Sequence, residues 1–191
     1  IDISKKYNSL KIDKVNVKEI TAKKTGESNK IIRKYMPHIY EVEDHKGISI
    51  YSLWTKEKIK KAFKLLDKPN CTVNSYLDEF LKRIKRTPVT IYSPIMTKSI
   101  ISKLKCKTVF DPCIGWGGRM IGTTCLGEDY HYTGCEPFTK TFQGLEKMVK
   151  DMNLEEQVKL YNKPVEDVFE DIQGQKFDMC LTSPPYFDLE V

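Results

Sequence analysis

The chain has 191 residues, 40% of them apolar and 30% charged, which suits one sizeable globular domain or one domain with an appendage. No apolar run approaches the roughly 18 residues of a membrane span, and no basic-then-apolar leader opens the sequence. The six cysteines show neither a C-x-x-C pair nor a histidine at zinc-ligand spacing, which disfavours a zinc module and points to a reducing, intracellular compartment. The net charge of +6 hides a division. Through Lys107 there are 25 Lys and Arg against 11 Asp and Glu, and from Thr108 onward 7 against 15. The basic half suggests a polyanion-binding face, although a lysine-rich solvated surface accounts for the same excess.

In chain order, residues 1 to about 33 are lysine-rich, with a weak alternation over Lys11–Val17. They read as an edge strand with loops, or as partly disordered chain. His38–Glu43 and Ile48–Trp54 are β-rich runs separated by Asp44–Gly47, the pattern of a hairpin. Thr55 can N-cap a helix with apolar residues at Ile59, Ala62, Phe63 and Leu66, ended by Lys68-Pro69-Asn70. A second amphipathic helix runs through Val73, Tyr76, Leu77, Phe80, Leu81 and Ile84 to a basic tip at Lys82–Arg86. Plain core packing explains both apolar stripes.

Beyond Pro88 strands and helices alternate. Strands are predicted at Thr108–Phe110, His131–Cys135, Val158–Tyr161 and Phe177–Leu181, with helices at Gly118–Leu126, Thr139–Met152 and, short and acidic, Val165–Ile172. This alternation implies an α/β, Rossmann-like, doubly wound parallel sheet with its ligand at the strand C-termini. The expected division is a basic α+β N-terminal extension over 1–86 and a ligand-binding domain over 87–191. The sequence opens at Ile1 and stops at Val191 just past a strong motif, so both ends read as cut and the sheet as C-terminally incomplete.

Two constellations carry chemistry. The first, Val109-Phe110-Asp111-Pro112-Cys113-Ile114-Gly115-Trp116-Gly117-Gly118-Arg119, takes a strand through a glycine-rich turn into a helix. Gly115 and Gly117 let the backbone approach a ligand closely. Asp111 at the strand tip can attract a cationic ligand group. The dinucleotide pattern fails, because Met120 stands where G-x-G-x-x-G needs Gly or Ala, and no phosphate-binding P-loop is present. One strand later, Gly134-Cys135-Glu136-Pro137 places an acid where it suits a ribose diol. Asp111 and Glu136 together fit a ligand with an ammonium at one end and a ribose in the middle, the shape of S-adenosylmethionine.

The second is Thr182-Ser183-Pro184-Pro185-Tyr186, straight after the last predicted strand. The two prolines hold the backbone extended and remove two N–H donors. That leaves acceptors (the Ser183 hydroxyl and nearby carbonyls) beside the aromatic Tyr186, a setting for an exocyclic amine on a stacked base.

D-P-x-x-G-x-G-G followed by T-S-P-P-Y resembles the amino-methylating DNA methyltransferases, which modify cytosine N4 or adenine N6. The resemblance covers roughly Thr87 to Glu190. It implies that Asp111, Pro112, Cys113, Gly115 and Gly117 line the S-adenosylmethionine site, that Glu136 with Pro137 holds the ribose, and that Ser183, Pro184, Pro185 and Tyr186 form the catalytic motif. A serine opening that motif is more typical of cytosine-N4 enzymes. Thr90–Pro94 resembles the segment that covers the methionine end, which brings in Tyr92. Where many members carry an acid after the third strand this chain has Asn162, with Glu166 as the other candidate.

The implied reaction is direct transfer of a sulfonium methyl to the amine. The Pro112-Cys113 pair imitates the nucleophile of cytosine-C5 chemistry, but it sits in the cofactor loop and reads as packing. DNA is the expected partner, with RNA as the alternative, and no membrane. A protein-glutamine methyltransferase is disfavoured by Ser183 where that family usually has Asn. A truncated nucleic-acid-binding module without activity is the non-enzymatic reading. The Lys- and Asn-rich composition suits a phage, viral or AT-rich microbial source.

Overall fold

The structure is a computed structural model that describes residues 26–43, 46–65 and 89–184. The chain divides into two compact units: residues 1–36 with 91–185, and residues 37–90 with 186–191. The sequence places one boundary, at 86/87. The first helix belongs to the unit that holds the sheet, where it packs on two of that unit's helices.

That helix, α1 (Gly26–Tyr35), lies where loops, a strand or disorder were expected. Ile31, Ile32, Tyr35 and Met36 are all buried, a spacing of one, four and five residues that sets one face of a helix. Tertiary burial overrides the polar, lysine-rich context, at roughly 1.5–3 kcal/mol for each fully buried Ile or Met.

A second unexpected helix, α3 (Pro94–Leu104), starts with Pro94 in its first turn, where a missing N–H costs nothing. It ends at Lys105, whose left-handed φ of 55° closes the helix. Then come β1 (Thr108–Asp111), α4 (Gly118–Thr124), β2 (His131–Cys135), α5 (Thr139–Asp151), β3 (Val158–Tyr161) and β4 (Met179–Cys180). Between α3 and α4, Gly122 allows close approach: a Cβ there would lie 2.4 Å from the Pro94 carbonyl oxygen. Along α5, Thr141, Gly144, Leu145, Met148 and Val149 are buried, the three-and-four spacing of a single apolar stripe.

The four strands form one parallel sheet in the order β3-β2-β1-β4. The fold is therefore α/β and Rossmann-like, as expected. Val109, Ile101, Met120, Ile121, Tyr132, Leu145 and Met148 make its core with the α1 residues. The chain runs outward from β1 to β3 and then returns to the other side of β1. This reversal makes the C-terminal ends of β1 and β4 a topological switch point, where open α/β sheets place their ligands.

β4 is shorter than the predicted Phe177–Leu181, and a side chain anchors it. Asp178 Oδ2 accepts from the backbone N–H groups of Lys107 (2.7 Å) and Thr108 (2.9 Å), while Asp178 N–H donates to Thr108 Oγ1 (2.8 Å). Those two donors hold the Asp178 carboxyl below the usual carboxylate range. Phe177 stacks on Phe110 with ring centroids 5.2 Å apart. The expected helix at Val165–Ile172 is a single 3-10 turn, Val165–Asp167, followed by turns. Its four acids crowd consecutive turns, and only Val168 is buried.

Among the described residues of the second unit, the expected hairpin ladder does not form. Pro37–Tyr40 is a 3-10 turn, and one antiparallel bridge, Glu43 to Ser49, stands where a ladder was predicted. The serine hydroxyls take over the backbone groups a ladder would use. Ser49 N–H donates to Ser52 Oγ (3.2 Å), Ser52 N–H to Ser49 Oγ (3.0 Å), and Ser52 Oγ–H to the Ser49 carbonyl (2.9 Å). Helix α2 (Lys56–Leu65) follows as predicted, with Thr55 Oγ1 accepting from Lys58 N–H at 3.4 Å. The expected second amphipathic helix lies outside the described residues. No helix among the described residues is long and apolar enough to cross a membrane.

Candidate functional site

β1 delivers Asp111 to the switch point, yet its carboxylate turns inward. It is 0% exposed and forms an ion pair with Arg119, Nε to Oδ2 at 2.6 Å. The Tyr132 hydroxyl donates to Oδ2 (2.5 Å), and Cys113 N–H to Oδ1 (3.2 Å). Asp111, expected to meet a cationic ligand group, has its charge matched by Arg119 inside the protein. Burial, and then the facing carboxylate, push the Tyr132 hydroxyl well above its ordinary value, so it stays a proton donor.

Sequence reading missed Arg119 and Tyr132. A signal was present for the first. Between Val109 and Gly127 the sequence has one acid and one base, Asp111 and Arg119, in an otherwise uncharged stretch. Two opposite charges in a segment that must be buried have to find each other.

The glycines of the loop do different work. Gly115 has φ +57° with none of the described residues within 4 Å of where a Cβ would point, so it leaves open space among them. Gly117 has φ +82°, and a Cβ there would meet Leu145 at 2.8 Å. Gly118 opens α4 against the Tyr92 backbone, with 2.1 Å between its imaginary Cβ and the Tyr92 oxygen. Tyr92 is half-buried, and its ring lies 5.1 Å from the Arg119 guanidinium carbon. Pro112 and Cys113 are half-buried. Burial pushes the Cys113 thiol up, keeping it protonated, which suits packing and not attack.

Glu136, at the tip of β2, is 8% exposed and joins two loops. Its Oε2 accepts from Gly115 N–H (3.0 Å) and its Oε1 from Phe138 N–H (2.9 Å). Burial raises its carboxyl above the usual range, and the two backbone donors partly oppose that shift. Each oxygen keeps a further acceptor position, since an ionised carboxylate offers about four. Asn162, after β3, is exposed and braces this turn: Nδ2 donates to the Glu136 carbonyl (2.9 Å) and the Pro137 carbonyl (3.3 Å), and Oδ1 accepts from Thr139 (3.2 Å). Pro137 itself is exposed.

Past β4, Leu181 N–H still donates to the Phe110 carbonyl (3.0 Å). Thr182 Oγ1 is buried, with no regular hydrogen-bond partner among the described residues, and sits beside the Cys113 thiol. Ser183 and Pro184 are exposed. Pro185 and Tyr186 lie outside the described residues. One sheet edge therefore gathers Tyr92, the loop from Asp111 to Gly118, Glu136, Asn162 and the start of the T-S-P-P-Y segment.

No family model matches this sequence, and neither does a curated protein. Among solved structures, a Staphylococcus aureus protein assigned by name as a caffeoyl-CoA O-methyltransferase aligns with 20% identity and a TM-score of 0.42. The alignment covers 65% of this chain and 59% of that one, so this chain spans about three-fifths of that protein's length. A likeness of this size adds nothing to what the strand order already shows.

Proposed function

We propose that this chain binds S-adenosylmethionine and methylates an exocyclic amine of a nucleic-acid base, cytosine N4 in DNA before adenine N6. One observation supports the reading: the strand order puts the glycine loop, Glu136 and the first residues of the T-S-P-P-Y segment, Thr182 to Pro184, all distant in sequence, at the same sheet edge. The residues fit the cofactor. Gly115 leaves space before the loop, Glu136 keeps acceptor positions that suit a ribose diol, and Thr182 adds a buried hydroxyl beside the Cys113 thiol.

When bound, S-adenosylmethionine supplies an electrophilic methyl group. Ser183 and the Pro184 carbonyl accept hydrogen bonds from the amine and orient its lone pair, and Tyr186 stacks on the base. The chain's contribution is mostly positioning and stabilisation of the charge developing on nitrogen. A base in a duplex must leave the stack, at a cost of a few kcal/mol, and phosphate contacts by the basic half offset part of it. In the second unit Tyr51 (71% exposed) and Trp54 (46%) stand near exposed Lys56, Lys58 and Lys60, a composition that favours nucleic acid as substrate.

The test is calorimetric titration with S-adenosylmethionine and S-adenosylhomocysteine, beside Glu136→Ala, followed by assays for N4-methylcytosine and N6-methyladenine on DNA and RNA. Saturable binding lost in the variant, then methyl transfer lost in Ser183→Ala, is the expected result. A folded chain that binds neither ligand overturns the reading. Salt-sensitive DNA binding in that chain leaves the nucleic-acid-binding module, and methylation of RNA alone changes the substrate.

A further inference from the structure

In the loop between β1 and α4, three successive backbone N–H groups are bonded within the protein. Cys113 N–H donates to Asp111 Oδ1, Ile114 N–H to the Cys135 carbonyl (3.0 Å), and Gly115 N–H to Glu136 Oε2. On the other side of the same backbone, Arg119 Nη2 donates to the carbonyls of Cys113 and Ile114, the second at 3.3 Å. Arg119 is only 3% exposed, its guanidinium held by Asp111 and seated by the Tyr92 ring, so it does not present its charge to solvent.

We propose that Arg119 is the positioning residue of the ligand loop: it never touches the ligand, but it holds the 113–115 backbone in its binding-competent shape. The inference rests on the S-adenosylmethionine reading for the identity of the ligand. Neutralising Asp111 needs one cation of any kind, whereas bracing two successive carbonyls and a carboxylate from one point needs a planar fork of several donors. Lysine has the charge without the fork. Fixing the loop in advance removes from ligand binding the entropic cost of ordering it.

Two readouts on the full chain separate positioning from plain stability. Calorimetry gives the affinity for S-adenosylhomocysteine, and amide hydrogen exchange reports the 113–115 backbone. The variants are Arg119→Lys, Tyr132→Phe, which removes one bond from the carboxylate that aims the guanidinium, and Ile32→Ala, a core control on α1. Arg119→Lys is expected to weaken binding by about tenfold or more and to speed exchange at 113–115 selectively. Tyr132→Phe shows the same pattern to a smaller extent. Ile32→Ala lowers the melting temperature and leaves affinity within about twofold.

Wild-type affinity and loop protection in Arg119→Lys overturn the proposal. So does affinity that falls only in proportion to melting temperature across all three variants. If Arg119→Lys does not fold, Tyr132→Phe decides by the same two measurements. If wild type binds no S-adenosylhomocysteine, the cofactor reading fails, and exchange still judges the loop: unchanged protection at 113–115 in the Arg119 variant sinks the positioning role.

Discussion

The two neighbouring strands of the switch point, β1 and β4, end in segments held in opposite ways. After β1 the backbone N–H groups from Cys113 to Gly115 are bonded within the protein, and the charges behind them, Asp111 and Arg119, are both buried. After β4, a two-residue strand anchored by the Asp178 side chain leads to exposed Ser183 and Pro184. A loop that must bind a small ligand gains from being rigid, because its ordering cost is then met during folding. On the function proposed above, the segment after β4 would receive a base from a large polymer, and it gains from being open.

The comparison can be broken most severely at Asp111. Asp111→Ala leaves the Arg119 guanidinium buried and unpaired, and a loss of about 3–5 kcal/mol is expected in denaturant unfolding. Asp111→Asn, which keeps an acceptor, should lose less. A cost under about 1 kcal/mol for the alanine variant would mean that the buried pair does not hold the loop. Next comes Gly118→Ala, whose methyl would strike the Tyr92 oxygen, a backbone atom that cannot rotate away. A destabilisation of roughly 1–3 kcal/mol is expected, and a melting temperature equal to wild type would contradict this packing.

Gly115→Ala is milder and more informative. Nothing blocks the new methyl, so only the left-handed backbone opposes it, at about 1–2 kcal/mol. Because that methyl enters the space where the proposed cofactor would sit, affinity for S-adenosylhomocysteine should fall by more than the melting temperature suggests. A variant that loses stability but binds normally would place the ligand elsewhere.

The smallest effect is a separation on the pH axis. Glu136 has a raised folded value, so protonation favours the fold: its stabilisation is present below the ordinary glutamate value and lost as pH rises through the raised one. Asp178 has a lowered value, so its contribution is present above the ordinary aspartate value and lost only as pH falls through the lowered one. On acidification from neutrality, ligand affinity that depends on the Glu136 carboxylate should fail first, and protection of the β4 amides last. Titrations and hydrogen exchange over the same pH series check the order, and coincident midpoints would refute it.

Much of the sheet was legible because its signals are local. Buried strands such as Val109-Phe110 and the apolar stripe of α5 repeat at their own periods, and Glu136 follows a strand tip that those periods locate. The misses have non-local causes. Ile31, Ile32, Tyr35 and Met36 form an apolar face, but only Gly144 of α5, with room for the Tyr35 carbonyl and Met36 sulfur, shows what that face is for. The hairpin failed because serine hydroxyls compete for backbone groups, a contest that alternation of residue types does not register. Asp111 was placed at the right strand tip, but its pairing with Arg119 was not foreseen.

The sequence by itself determined that this is a parallel α/β chain with a glycine turn after β1, an acid after β2 and T-S-P-P-Y after the last strand, because periodicity and turn chemistry act over a few residues. Only the tertiary structure decided which charges face each other. Asp111 and Arg119 are eight positions apart, and the pairing became obligatory once the sheet, α3 and α4 had removed both from water, where neither charge can remain alone.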